Sequence, residues 1–295
     1  MNRWMRPLTT AFLFTFLALP AAARVVETDV VVEATLTDVW SAWTTAEGLT
    51  SFFAPVARVD LRIGGAYEVL FLLDAPAGER GSEGVKILDH EAPHRLVFQW
   101  NAPPTFPNVR RERTWVELKF SDAGQGRVRV HLVQGGWGEG EEWDQVYAYF
   151  AKAWPSVLAN LKKRFEEGPI DWDERAVGPE RKQALLADLA PPPTEGPPPT
   201  WVIRLEPVRE GMPEAPTAEE SAIVGEHFHR LQRLQQEGSL VLAGPTAAPP
   251  YFGLVIFEAP DEATARAVLQ GDPAVRHGIM TGTVHPFHLA LLRGR

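Results

Sequence analysis

The chain has 295 residues, 45% of them hydrophobic and 23% charged, a formal net charge of −9 and no cysteine. This is the composition of a folded globular protein with room for about two domains. The acidity argues against a nucleic-acid surface, which needs clustered Lys and Arg, and the absence of cysteine removes disulfides, thiol nucleophiles, cysteine–zinc sites and iron–sulfur clusters together.

At the N-terminus, Arg3 and Arg6 precede an uncharged apolar run over residues 8–19, and Ala21 and Ala23 supply small side chains. The pattern reads as an export signal over 1–23, with a mature chain from Arg24 in the periplasm or secreted. The run is shorter than the ~20 residues a helix needs to span a bilayer. An uncleaved anchor is therefore the weaker alternative, and the mature chain is expected to hold no membrane span.

Residues 24–166 form a first block. Val26 to Ala34 reads as a strand, Thr37 as the N-cap of a short helix through Trp43, and Thr45 as the start of another through Phe53. Gly64 and Gly65 break the next pair of strands. Leu96, Phe98 and Trp100 alternate with Val97 and Gln99, and the strands around 114–120 and 127–132 alternate likewise. These are expected to be half-buried antiparallel strands with a polar outer face. From Glu142 to Phe165 the period changes to three and four, an apolar helical stripe. Pro155 interrupts it, so a kink or a junction of two helices is expected there.

Residues 167–200 form a proline-rich linker. Leu185, Leu186 and Leu189 share one side of a short helix ahead of two proline triplets at 191–193 and 197–199, a stiff spacer. Residues 201–295 form a second block with the order β-α-β-β-α-β, a ferredoxin-like arrangement. In it, Thr217 and Glu220 make a capping box, the helix they start ends before Gly238, Asp261 caps a second helix, and the last strand runs over 283–292.

Four segments of the first block (30–53, 59–69, 92–100 and 153–167) resemble the helix-grip, START-like (SRPBCC) superfamily, in the branch named after the activator of the heat-shock chaperone ATPase. Phe52-Phe53 stands where that branch often has Trp followed by an aromatic. The segments HFHRLQRLQQEGSLVLAGP, GLVIFEAPDEATARAVLQGDPAVRHGIM and VHPFHLAL resemble the YCII-related family of dimeric α+β-barrel proteins. The resemblances imply an α+β chain, a helix-grip domain followed by a ferredoxin-like domain of the dimeric α+β-barrel type. They support fold more strongly than function.

His227 faces the apolar side of its helix, four residues from Ile223 and from Leu231, and Asp272 lies in a turn after the next helix. The resemblance implies an acid/base dyad at these two positions, with His227 taking a proton and Asp272 fixing its tautomer. A structural hydrogen bond, with Asp272 capping the turn before Pro273, is the competing reading. His90 and His94 belong to a turn that Pro93 keeps from being helical, so no metal site is expected. In the first block, Phe53, Tyr67, Phe98, Trp100, Tyr147 and Trp154 are candidates to line a cavity between sheet and helix; the bland reading is plain core. The acidic, glycine-rich stretch 135–143 is expected at the mouth of that cavity.

Neither a nucleophile elbow nor a phosphate loop occurs, and no motif calls for a cofactor. The chain is expected to bind a small apolar molecule, with the second domain mediating homodimerisation or ligand handling. The alternative is an enzyme using His227 and Asp272 for proton transfer or elimination on a small, aromatic substrate. Activation of a cytosolic chaperone is suggested by the family name alone and conflicts with export.

Overall fold

The computed structural model describes residues 24–172, 177–189 and 198–291; the export signal over 1–23 and residues 190–197 of the spacer lie outside the described residues. The first domain runs β1 (Val26–Glu33), α1 (Leu36–Thr44), α2 (Ala46–Thr50), β2 (Val56–Val59), β3 (Tyr67–Leu70), β4 (Ile87–Glu91), β5 (Arg95–Trp100), β6 (Thr114–Gly124), β7 (Arg127–Gly135) and α3 (Glu141–Glu167). An antiparallel sheet of order β1-β7-β6-β5-β4 curls around α3, with the β2–β3 hairpin beside it. This is a helix-grip domain. Val146, Phe150, Trp154, Leu158 and Leu161 of α3 are buried against the sheet.

Three local expectations shift. The N-cap of α1 is Thr35, whose hydroxyl accepts from the Asp38 amide at 3.2 Å, so Thr37 already sits in the first turn. The helix α3 runs unbroken through Pro155 for 27 residues; proline removes one amide donor, and the buried residues on both sides keep a single axis packed on the sheet. The outer face of β5 is not polar and solvated, for Val97 is fully buried and Gln99 is 6% exposed.

Past α3, α4 (Pro179–Leu189) lays Leu185, Leu186 and Leu189 against Val56 and Leu70 of the hairpin. The second domain follows as β8 (Thr200–Pro207), α5 (Ala218–Gln236), β9 (Leu240–Pro245), β10 (Gly253–Glu258), α6 (Glu262–Gln270), α7 (Pro273–Arg276) and β11 (Met280–Phe287). Its antiparallel sheet has the order β11-β8-β10-β9, which is ferredoxin-like. The capping box of Thr217 and Glu220 is formed. Trp201, Ile203, Leu205, Val255 and Phe257 pack beneath α5 and α6.

What covers the outer face of β5 is the second domain. Val97 and Leu88 pack on Ala267 of α6, with Trp115 beside them, and the Gln99 side-chain amide donates to Gln270 Oε1 at 2.7 Å. Asp89, fully buried, accepts both oxygens' worth of bonds from Arg233 (2.7 and 2.8 Å) and one from Arg95 (2.5 Å). Arg230, also buried, donates to the Leu88 carbonyl at 3.0 and 3.2 Å. Glu237 accepts from the Ile63 amide at 3.2 Å and meets His90 at 3.1 Å. A Cβ on Gly271 would stand 2.6 Å from the Leu88 carbonyl oxygen, so this residue is glycine to let the two backbones approach. Burial alone would raise the Asp89 pKa, but the charges of Arg95, Arg230 and Arg233 outweigh it and hold the carboxyl below its usual range.

Candidate functional site

A cavity of about 240 Å³ opens between β5, the β3 end and α3. Its aromatic wall is a series of stacked or tilted rings: Phe53 on Trp100 at 5.6 Å between centroids, Trp100 on Trp154 at 5.3 Å and Trp154 on Phe150 at 6.0 Å. Phe53 reaches it from the end of α2, Trp100 from the end of β5, and Trp154 and Phe150 from the α3 stripe. The Trp154 indole N–H donates to Gln134 Oε1 at 2.6 Å, the Gln134 amide donates to Thr114 Oγ1 at 2.8 Å, and that hydroxyl donates to the Trp100 carbonyl at 3.1 Å. This buried chain fixes the wall, since leaving any of its groups unpaired would cost about 1–3 kcal/mol.

Phe53, Trp100 and Trp154 thus line the cavity, whereas Tyr67, Phe98 and Tyr147 do not. Phe98 sits two residues deeper than Trp100 on the same strand face and packs on Tyr67 at 4.3 Å. The Tyr67 hydroxyl donates to the Trp43 carbonyl at 2.9 Å in full burial, so both rings are core. Tyr147 lies on the rim of the helix toward the N-terminus of β1, where its hydroxyl donates to the Val25 carbonyl at 2.9 Å and the Arg24 guanidinium covers its ring at 4.2 Å. The stretch 135–143 is not part of the lining either. Glu142 turns instead to the backbone and side chain of Asn108.

Sequence reasoning missed the polar side of the cavity, made by Glu79, Arg80, Asn101 and Arg110, and the half-exposed Tyr149 and Phe71 at its mouth. Phe150 belongs to the apolar stripe of α3 and was available from its spacing; Tyr149 is off that stripe, and Asn101 carries no pattern at all. Arg110 donates to the carbonyls of Gly78, Gly81 and Ala102, and Arg80 to the Glu83 and Asp188 carboxylates. Both cations are therefore committed to the frame of the opening.

In the second domain, His227 and Asp272 meet. The His227 Nδ1–H donates to Asp272 Oδ2 at 2.7 Å, with the side chains 13% and 6% exposed. Asp272 Oδ1 accepts from the Ala274 amide at 2.9 Å, so the same carboxylate caps α7. When the imidazole is neutral, Nδ1 as the donor leaves the lone pair on Nε2, which makes no hydrogen bond among the described residues. Such a tautomer can accept a proton at Nε2.

Comparison with known proteins agrees with the two-domain architecture. Residues 33–166 match the family model described as Activator of Hsp90 ATPase homolog 1-like protein, and residues 206–287 match the YCII-related domain. No curated protein matches the sequence. Among solved structures, CalU16 from Micromonospora echinospora is 22% identical, covering 59% of this chain and 93% of that one with a TM-score of 0.37. Protein MLL2253 from Mesorhizobium loti is 16% identical over 50% of this chain and 100% of that one, with a TM-score of 0.41. The Aha1 dimer from Colwellia psychrerythraea is 16% identical over 49% and 98%, with a TM-score of 0.38.

Proposed function

We propose that this chain, an activator-of-Hsp90-ATPase-homolog-1-like domain followed by a YCII-related domain, is an exported protein that binds a small apolar molecule in its first domain. The observation that carries the reading is the cavity itself, whose stacked ring wall of Phe53, Trp100, Trp154 and Phe150 leaves about 240 Å³ unfilled where a plain core would be close-packed. Its size lies just under the roughly 300–1,000 Å³ of sites for drug-sized ligands, which suits a molecule of one or two rings. Mass spectrometry of small molecules co-purifying with the protein tests this. A recurrent apolar species, lost when Trp154 is replaced, supports the reading, and its absence from native protein purified at scale counts against it.

Export rests on Arg3, Arg6, the apolar run 8–19 and Ala21 and Ala23. N-terminal sequencing of envelope-fraction protein should begin at Arg24; full-length protein confined to the cytosol would defeat the reading. Among the described residues, no helix is long and apolar enough to cross a membrane.

The YCII-related domain is proposed to pair with a second copy through the sheet face opposite α5 and α6. There the register aligns Leu242, Ile256, Val202 and His285 in one row across four strands. On this face Leu242, at the β9 edge, is 56% exposed and Phe287, at the β11 edge, 37%.

A second reading, an enzyme that moves a proton, is favoured by the 2.7 Å contact of His227 with Asp272 and the uncommitted Nε2. In it Asp272 holds the imidazole in the tautomer whose Nε2 takes the proton.

A further inference from the structure

We propose that the cavity of the first domain selects a flat aromatic molecule bearing a neutral hydroxyl group, a phenol or naphthol, and that Asn101 Oδ1 and Trp100 Nε1 recognise that hydroxyl. The inference rests on the reading of the cavity as a ligand site and adds the chemistry of its occupant.

The argument starts from polar atoms left without partners. Among the described residues, the enclosed side-chain polar atoms with no hydrogen bond are Trp43 Nε1, Thr264 Oγ1 and Arg276 Nε. Trp100 Nε1 and Asn101 Oδ1 also make no hydrogen bond among the described residues, yet they are not enclosed, although their residues are only 5% and 6% exposed. The space that both residues line is the cavity. The orientation of the Asn101 amide is set by its nitrogen, which donates to the Gly81 carbonyl at 3.1 Å and leaves the oxygen as the uncommitted end.

An uncommitted donor and an uncommitted acceptor therefore sit on consecutive residues at the end of β5, beside a wall of rings. A hydroxyl answers both, because it donates through its hydrogen and accepts on its oxygen. A carboxylate would bring only acceptors and would face Asn101 Oδ1 unfavourably. Of the cations in the lining, Arg80 is already paired with Glu83 and Asp188 and Arg110 holds the carbonyls of Gly78, Gly81 and Ala102, while the Glu79 carboxylate in the same lining would repel a second anion. A bare hydrocarbon fits the rings but leaves both polar atoms desolvated, a cost that binding must absorb.

Equilibrium dialysis of the full chain at pH 7 against naphthalene, 1-naphthol and 1-naphthoate tests the proposal. The expected order is naphthol bound at least tenfold tighter than either of the others. Asn101→Leu should bring naphthol to the affinity of naphthalene while changing naphthalene itself by less than about threefold. Trp100→Phe keeps an aromatic ring on the wall, removes the N–H and should lower the naphthol preference severalfold. Because Asn101 also holds the Gly81 loop, the ranking in the unaltered protein and the Trp100→Phe variant decide the matter even if Asn101→Leu fails to fold. Equal binding of naphthalene and naphthol, or tightest binding of naphthoate, overturns the hydroxyl assignment and leaves the ligand site standing. Binding of none of the three overturns both.

Discussion

Asp89 of the first domain and Arg233 of the second are joined by a two-oxygen ion pair at 2.7 and 2.8 Å, with the carboxylate wholly buried. Removing one charge from such a pair strands the other, which typically costs about 3–5 kcal/mol. Asp89→Asn should therefore split a single thermal transition into two, as the domains lose their contact. The folded pKa of Asp89 is depressed, so its stabilising contribution is complete above the unfolded value of about 3.9 and is lost as pH falls through the folded value. The native protein should show one transition from neutral pH down to about 4 and lose cooperativity below it, whereas the variant should be split throughout. Calorimetry across that range reads both. Gly271→Ala, aimed at the Leu88 carbonyl 2.6 Å away, should split the transition without altering any charge.

Limited proteolysis offers a second check on the same contact. Polyproline segments bury little surface, so the first cut should fall within 190–197. The two fragments should still co-elute on a native sizing column at neutral pH and separate in the Asp89→Asn background. Fragments that part at once in the unaltered protein would contradict the docking of α5 and α6 on β4 and β5.

Trp100→Ala probes the cavity wall. A fully enclosed tryptophan cut to alanine costs about 3–5 kcal/mol. Trp100 already faces open volume on one side, so the loss should fall at or below the low end of that range, with a measurable change in binding of an apolar dye. A loss above it with unchanged dye binding would make the ring plain core.

The pair in the second domain separates its two readings by substitution. Asp272→Ala removes the acceptor of His227 and the cap of α7 together, about 1 kcal/mol for the cap and about 1–3 kcal/mol for the unpaired imidazole. His227→Gln keeps size and polarity and should be milder. If the pair is structural, both changes show in thermal melts and nowhere else. If it is a dyad, His227→Gln also abolishes turnover of any substrate found, with folding nearly intact.

Association of two copies predicts that Leu242→Lys, a charge placed on the exposed β9 edge of the open sheet face, shifts sedimentation to the monomer without lowering the melting temperature of the chain itself. Unchanged sedimentation would remove that face from the interface.

Much of this architecture was legible in the residues. The capping box of Thr217 and Glu220, the alternation of β6 and β7 and the α3 stripe are local patterns, and local patterns report secondary structure directly. The meeting of His227 with Asp272, 45 residues apart, came from resemblance and could not have come from spacing. What stayed hidden is what lies between domains. Val97 and Trp115 on nominally outward positions were a signal that something covers that face, but nothing in Asp89 or Arg233 names a partner 144 residues away. The cavity was half legible for a similar reason: periodicity tells which rings point inward, not which of them stop short of meeting. That depends on depth along the strand, which separates Trp100 from Phe98.

The helix α4 has a consequence for how the domains hold together. It is fastened to the first domain by its leucines and by Arg80 on Asp188 at 3.2 Å, so the covalent tether to the second domain spans little more than the segment from Leu189 to Pro198. A leash that short keeps the effective concentration of one domain around the other in at least the millimolar range. Two separate polypeptides would first have to give up translational and rotational freedom worth about 4–15 kcal/mol. The same contact is thus far firmer within one chain than it is between two separate pieces, so the tether adds to a docking that the buried charges and Ala267 already make.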